Sequence, residues 1–177
     1  KAFLHVKYQL ETARRGDASV PRAVDDPIEG TIQALQVGQR APEFSVSALT
    51  AEKTLRLQSH RGKPVLVLFY NPATQIGREV VLYAKQLSEK HGGKVAVMAM
   101  AVTHDADAAR IQHRDLRLPF PVLDGNGMRL TFGALQTPRV VLLDGDARVR
   151  LVQTGWGYHT PEEIQSELAR CLPRAKQ

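Results

Sequence analysis

Apolar and polar positions follow two different patterns along the chain and divide it into two zones. In the first zone, residues 1–31, apolar residues recur every three to four positions as far as Gly16, which is typical of an amphipathic helix. A polar stretch with two prolines follows the glycine and predicts a linker. We therefore expect an N-terminal helical arm over residues 1–31, ahead of a main domain over residues 32–177.

The apolar runs of residues 32–177 predict strands and helices in alternation. FSVSAL alternates apolar and polar residues as a half-buried strand does, and with its neighbour KTLRLQS it predicts an N-terminal β-hairpin. The runs PVLVLFY and KVAVMAMAV are apolar throughout, as in strands that are covered on both faces. An amphipathic helix is expected after each of these two central strands.

The remainder of the chain predicts a second hairpin and a last helix. RVVLLD and RVRLVQTG are separated by the turn GDA, which indicates two paired strands. The last helix is expected to begin with Thr160 as its N-cap and with Glu163 completing a capping box. The whole order predicts an α/β domain with a mixed central sheet and with helices on both of its faces.

Charge and composition exclude several classes of function. The chain has 24 Lys and Arg against 18 Asp and Glu, a net charge of +6, but the excess is diffuse and forms no basic stripe with aromatic residues between the charges. We therefore expect no nucleic-acid partner. No apolar run approaches the roughly 18 residues of a membrane span, so none is expected in this segment. The glycines of DGNGMRLTFG lack the order of a nucleotide-binding motif, and no cofactor is expected.

A candidate metal site has a simpler structural explanation. His104, Asp105 and Asp107 lie close together, but the two carboxylates fit the acidic first turn of the second helix of the main domain. The other histidines are scattered, and none pairs with another at the spacing of metal ligands. We therefore expect no metal site.

Three separate stretches carry a resemblance to a known family. VGQRAPEFSV, HRGKPVLVLFY and LPFPVLDGNGMRLTFGALQTPRVVLLDGDARVR follow one another along residues 37–172. In this order they resemble the redoxin branch of the thioredoxin-like proteins, which includes the AhpC/TSA (peroxiredoxin-like) group and membrane-anchored thiol-disulfide reductants. The resemblance implies a thioredoxin-like fold, and Thr137-Pro138 matches the cis-proline of the family.

The reactive cysteines of this family are absent from the chain. Aligned from the end of PVLVLFY, the two positions of the family's CxxC pair fall at Thr74 and Gly77, and a peroxidase-like alignment at Gly77 or Arg78 finds no cysteine either. A helix N-terminus stabilises a thiolate there, and the second cysteine resolves the mixed disulfide. The same terminus contributes only about 0.3–1 kcal/mol, too little to ionise a threonine hydroxyl. We therefore expect Thr74 to be a helix N-cap and no residue to be catalytic.

The single cysteine, Cys171, does not replace the missing pair. It falls near the end of the last helix, where a buried structural cysteine is the usual interpretation. One cysteine excludes an internal disulfide, and a resolving cysteine without a partner does not turn over.

The resemblance also implies a binding surface. In thioredoxin-like proteins the segment before the cis-proline offers backbone groups to an extended peptide. A peptide or protein partner is therefore expected at this groove, which would be lined by Tyr70, Asn71, Thr74, Thr137, Pro138 and Trp156.

These observations favour a non-catalytic binding or accessory module. Two alternatives stay open: a thiol-disulfide oxidoreductase or peroxidase with antioxidant activity, as family membership suggests, and a structural domain of a larger chain. By analogy with the family, we expect an extracytoplasmic location in a bacterium.

Overall fold

A computed structural model describes residues 35–172. The predicted arm over residues 1–31, and its boundary with the main domain, lie outside the described residues. The strands are β1 Ser45–Ser47, β2 Thr54–Arg56, β3 Val65–Tyr70, β4 Ala96–Ala101, β5 Val122–Asp124, β6 Arg139–Leu143 and β7 Val149–Thr154. The α-helices are α1 Gln75–His91, α2 Ala106–Leu116 and α3 Thr160–Cys171, and 3-10 turns span Leu57–His60 and Asn126–Met128.

The strands form a five-stranded mixed sheet and a separate hairpin. The sheet order is β5-β4-β3-β6-β7, in which β3, β4 and β5 are parallel and β6 and β7 are antiparallel to their neighbours. β1 pairs with β2 in the antiparallel hairpin predicted from the sequence. Every residue of β3 is buried, as its apolar run predicts. The mixed sheet and the hairpin confirm the thioredoxin-like fold.

The prediction that helices cover both faces of the sheet is wrong. The buried residues of α1, α2 and α3 pack into one cluster with Leu66, Leu68 and Tyr70 of β3. The other side of β3 packs against the β1–β2 hairpin and Phe132. The crossovers β3-α1-β4 and β4-α2-β5 step in the same direction across the sheet, so their common right-handedness places both helices on one face.

Side-chain caps mark where the helices begin, with differences from the sequence-based prediction. α2 begins in the expected acidic segment, but Asp105 is its cap and only Asp107 lies in its first turn. The Asp105 carboxylate accepts hydrogen bonds from the backbone N–H groups of Asp107 and Ala108 at 2.9 and 3.2 Å. The prediction that Thr160 is the N-cap of α3 is wrong. The cap position is His159, and the buried Thr160 hydroxyl accepts a bond from the Gly157 N–H at 3.0 Å, closing the preceding turn.

The predicted capping box of α3 is also absent, because the Glu163 side chain has a different partner. The Glu163 carboxylate accepts a hydrogen bond from the Gln153 side chain on β7, and does not fold back onto its own helix terminus. This contact fastens α3 to the edge strand of the sheet. A long-range partner thus takes the place of the local one.

Two further findings concern the described residues only. No helix within residues 35–172 has both the length and the apolar character that crossing a membrane demands. Over the same range, no three His, Cys, Asp or Glu side chains are grouped as metal ligands would be.

The Asp105 cap gives a direct test of the start of α2. We expect Asp105→Ala to lower the free energy of unfolding by about 1 kcal/mol, because two backbone N–H groups lose their acceptor. Urea unfolding followed by circular dichroism measures the change. Asp115→Ala, at an exposed position of the same helix, is the matched control, and an equal loss in both variants would contradict the cap assignment.

Candidate functional site

Three segments meet at one end of the sheet. Phe69 of β3 pairs with Arg139 of β6, and this register brings the end of β3 beside Pro138. The Gly155 N–H, at the end of β7, donates to the Pro138 carbonyl at 2.8 Å. The Thr137-Pro138 peptide is cis, as the resemblance implied. The candidate site therefore combines residues 71–77, which we call the capped loop, residues 129–138, the proline loop, and the turn after β7.

Side chains of the capped loop accept hydrogen bonds from backbone N–H groups at the start of α1. The Thr74 hydroxyl accepts a hydrogen bond from the Gly77 N–H at 3.1 Å and donates one to the Asn71 carbonyl at 2.9 Å. The Asn71 side chain accepts another from the Ala73 N–H at 2.9 Å. The buried Gln112 of α2 donates to the Pro72 carbonyl at 3.1 Å and holds the loop from the other side. The prediction that Thr74 is the N-cap of α1 is confirmed.

Gly77 leaves no room for a side chain. A Cβ built on this residue would lie 2.0 Å from the Asn71 carbonyl oxygen and 2.9 Å from the Thr74 hydroxyl. Contacts below 3.0 Å of this kind require the backbone to move. The position of the second cysteine is therefore closed by the same loop that caps the helix.

Tyr70 does not line an open groove, and the prediction that it does so is wrong. Its exposed fraction is 0%, and it packs in the core cluster beneath α1. Its hydroxyl is sealed from solvent without a hydrogen-bond partner among residues 35–172. Burial raises the pKa of this hydroxyl far above its usual range. Tyr70 is the last residue of the apolar run that identified β3, and it is as buried as Val65 at the start of the strand.

The other predicted groove residues differ in exposure. Thr74 is exposed, Asn71 and Thr137 are partly exposed, and Pro138 is buried. The Trp156 indole is half-buried and packs on the Tyr83 ring, with a centroid distance of 5.2 Å. Trp156 thus covers part of the core, and a role for it and the exposed residues in binding stays a prediction.

Two arginines hold the carbonyl groups of the proline loop. Arg129 donates to the carbonyls of Ala134 and Leu135 at 3.2 and 3.1 Å. From the opposite side, the buried Arg139 donates to the Phe132 carbonyl at 2.7 Å. Sequence reasoning missed both residues. The signal was a charged residue directly between the cis-proline and an apolar strand, where a buried position would normally exclude it.

Three consecutive N–H groups near the end of the proline loop have no backbone partner in the described chain, whereas those of Phe132, Gly133 and Ala134 are bonded to nearby carbonyls. Within residues 35–172, Leu135, Gln136 and Thr137 donate to no backbone carbonyl. Leu135 is also an exposed apolar side chain, with 55% of its surface accessible. An unpaired row of N–H groups beside an apolar side chain is a template for an added strand.

Two cavities lie beside α2, one next to the capped loop and a larger one away from it. An open cleft of about 340 Å³ lies beside Thr74, between the start of α1 and one side of α2. A larger cavity of about 830 Å³ lies between the β1–β2 turn and α2, where Arg110 is already bonded to the Leu49 carbonyl. We place the candidate site at the capped and proline loops, because the larger cavity lies apart from both.

Cys171 lies at the wrong end of α3 for a role at the capped loop. α3 has 12 residues, so Cys171 lies about 16 Å along the helix axis from Thr160. The thiol is partly buried against the core cluster. Burial raises its pKa, an effect that Asp144 and Glu167 reinforce and Arg150 opposes. A raised pKa lowers the thiolate fraction on which exchange depends.

Comparison with known proteins gives the family. The family model described as AhpC/TSA matches residues 37–152, well over half of the chain. The chain belongs to the AhpC/TSA family. Its single cysteine is consistent with loss of the CxxC pair from this thioredoxin-like redoxin family.

Curated relatives of this AhpC/TSA domain cover most of its length. The thioredoxin-like protein YneN of Bacillus subtilis is 29% identical over 139 residues, which are 76% of this chain and 79% of YneN. The thiol-disulfide oxidoreductase ResA of Bacillus thuringiensis is 25% identical over 144 residues, or 80% and 82% of the two chains.

Solved structures share the fold of the AhpC/TSA domain. A candidate thiol:disulfide interchange protein DsbE from Chlorobium tepidum has a TM-score of 0.71 at 20% identity. The match covers 79% of this chain and 100% of the DsbE chain. The peroxidoxin BcpB from Mycobacterium tuberculosis has a TM-score of 0.67 at 14% identity, covering 78% and 99%. At these identities the likeness shows the fold alone.

The closed space at Gly77 predicts an unusual response to substitution. Inside a helix Gly→Ala normally stabilises by about 1 kcal/mol, but at Gly77 the added Cβ meets the Asn71 carbonyl. We expect Gly77→Ala to lower the free energy of unfolding by about 1–3 kcal/mol, the range of overpacked sites. Gly127→Ala is the matched control, because no atom lies within 4 Å of its added Cβ. Denaturant unfolding decides, and a stability gain at Gly77 would show that the AhpC/TSA loop accepts a side chain.

The orphaned hydroxyl of Tyr70 predicts a contrast with Tyr83. We expect Tyr70→Phe to leave the free energy of unfolding unchanged or to raise it, because the unbonded hydroxyl carries a desolvation cost of about 1–3 kcal/mol. The Tyr83 hydroxyl donates to the Pro161 carbonyl at 3.0 Å, so we expect Tyr83→Phe to lose about 1 kcal/mol. Parallel urea unfolding curves measure both variants. A loss in Tyr70→Phe as large as in Tyr83→Phe would reveal a hidden partner of the Tyr70 hydroxyl.

Proposed function

We propose that this AhpC/TSA-family protein is a non-catalytic binding or accessory module that holds an extended segment of a partner protein beside the cis-proline. The observation that carries the proposal is the capped loop, in which the Thr74 hydroxyl occupies the Gly77 N–H at 3.1 Å and Gly77 has no room for a thiol. The helix terminus that would stabilise a thiolate is thus used to begin the helix.

Thiol chemistry lacks the atoms it needs at this position. Exchange requires a thiolate that attacks a disulfide and a second thiol that resolves the product. The chain has one cysteine, and its thiol is partly buried with a raised pKa at the end of α3. ResA is a thiol-disulfide oxidoreductase by name, but we do not extend that activity to this chain because no residue of the capped loop supplies a thiol.

The proline loop supports binding by strand addition. Leu135 and Gln136 are exposed, and the N–H groups of residues 135–137 donate to no carbonyl of the described chain. Main-chain hydrogen bonds from such an edge give a partner its affinity, and pockets for alternate side chains give specificity. Arg129 and Arg139 hold the loop in place through its carbonyls, so the edge is preorganised.

A turnover assay tests the absence of catalysis. We expect the purified full chain to show no more insulin-disulfide reduction or peroxide consumption than a buffer control with the same reductant. Cys171→Ala is expected to behave as the native chain does. Sustained turnover that disappears in Cys171→Ala would overturn the non-catalytic assignment in favour of an oxidoreductase.

A peptide-binding experiment tests the groove. We expect peptides selected from a random library to shift the amide resonances of residues 135–138, and Leu135→Ser, which removes the apolar contact without adding a charge, to weaken their binding about tenfold, equivalent to 1.4 kcal/mol. Val37→Ser is the matched control, since Val37 is also an exposed apolar residue and lies at the opposite end of β7. Equal losses in the two variants, or selected peptides that shift other residues only, would contradict this placement of the groove.

A further inference from the structure

Arg139 is a buried cation without an acidic partner in the described chain. It directly follows Pro138 and has an exposed fraction of only 8%. No carboxylate of residues 35–172 lies within 4.0 Å of its guanidinium. Buried arginines are normally paired, because taking the charge out of water costs several kcal/mol. Burial lowers the pKa of the guanidinium, in line with this cost.

The guanidinium of Arg139 is only partly satisfied by its neighbours. Nε donates to the Phe132 carbonyl at 2.7 Å, and Nη1 donates to the Thr154 hydroxyl at 2.6 Å. Nη2 has no hydrogen-bond partner in the part of the chain that the structure describes. A guanidinium has five N–H groups in a planar fork and matches a carboxylate with two of them. Arg139 therefore keeps donor capacity for an external acceptor.

Gly133 lies directly beside this nitrogen. A Cβ on Gly133 would lie 3.2 Å from Arg139 Nη2, so a side chain at this position would crowd the guanidinium. Gly133 is partly exposed and has φ +61°, in the left-handed region that favours glycine. Nη2 is not among the polar side-chain atoms of the described chain that are both sealed from solvent and without a partner, so this nitrogen keeps some contact with solvent.

Arginine side chains occupy several carbonyls of the proline loop, while those of Gln136 and Thr137 have no partner in the described chain. The carbonyls of Phe132, Ala134 and Leu135 are occupied by arginine side chains, whereas the N–H groups of residues 135–137 are free of backbone partners in the described chain. Two guanidinium charges lie behind this edge. Charge complementarity therefore favours a partner segment that brings acceptors and negative charge.

We propose that the partner segment bound at the proline loop is acidic, and that one of its carboxylates binds the Arg139 guanidinium at Nη2, beside Gly133. The inference rests on the proposed function and adds the chemistry of the partner to it. Main-chain pairing with residues 135–137 positions the segment, and the carboxylate supplies the counter-charge that the described fold lacks. Nη2, together with the second N–H of Nη1, is the donor pair for that carboxylate.

Matched peptides test the proposal without changing the protein. Short extended peptides with a central leucine and flanking aspartates are compared with the same peptides carrying asparagine or lysine in place of aspartate. We expect the aspartate peptides to bind at least about tenfold more tightly than the asparagine peptides, because a hydrogen bond to a charged acceptor is stronger than one to a neutral amide. The preference is expected to decrease as salt is raised.

Protein variants locate the charge recognition. We expect Arg139→Gln to reduce the preference for aspartate over asparagine to about twofold or less, while Arg114→Gln, which removes an exposed charge from α2, leaves it unchanged. Gly133→Ala provides a second variant that fills the space beside Nη2 but keeps the arginine. Amide spectra of each variant establish that the fold is retained, and the peptide comparison decides even where Arg139→Gln does not fold.

The outcomes separate the inference from the proposed function. Equal binding of aspartate and asparagine peptides at residues 135–138 would overturn the acidic partner and leave the groove intact. An aspartate preference that persists in Arg139→Gln and Gly133→Ala would overturn the assignment to Arg139. Binding of neither peptide set would overturn the groove and the inference together.

Discussion

The hydrogen bond from the Gly77 N–H to the Thr74 hydroxyl, 3.1 Å long, is the interaction on which the character of the site depends. The first N–H groups of a helix need acceptors, and in a thiol enzyme of this fold a thiolate shares them. Here a neutral hydroxyl takes that place, and the Asn71 carbonyl closes over Gly77. The helix begins equally well, but its terminus no longer stabilises a negative charge at a reactive atom.

The fold does not depend on a reactive residue at the helix terminus. α1 is held by Val80, Val81, Ala84 and Leu87, which are buried against β3 and β4 and do not belong to the capped loop. Burial of apolar surface, at roughly 25 cal/mol per Å², stabilises the sheet and its helices regardless of what lies at the helix terminus. The redoxin fold can therefore persist while a helix cap, Thr74, stands where the family has a reactive residue.

The sequence predicted a helix cap that depends on neighbouring residues. It did not predict features that depend on contacts between distant segments. The cap at Thr74 bonds a residue three positions away, so the sequence was sufficient to predict it, whereas Asp105 was expected in the first turn of α2 and is its cap. The face on which α2 lies depends on the order of strands in the sheet, and Thr160 lost its expected role to a turn that only the structure shows. The buried pairing of Arg139 with Phe132 and Thr154 likewise joins segments that no periodicity connects.

A groove without a thiol must obtain all of its affinity from non-covalent contacts. An enzyme of this fold is held to its substrate by a transient mixed disulfide, so weak pairing along the proline loop suffices for it. A backbone hydrogen bond contributes only about 0.5–1.5 kcal/mol net in water, and three free N–H groups alone give a weak complex. Hydrogen bonds to a charged group are roughly twice as strong. A buried guanidinium that lacks a counter-charge in the described chain is therefore the feature of this surface best suited to replace the covalent bond, and its Nη2 lies directly beside Gly133.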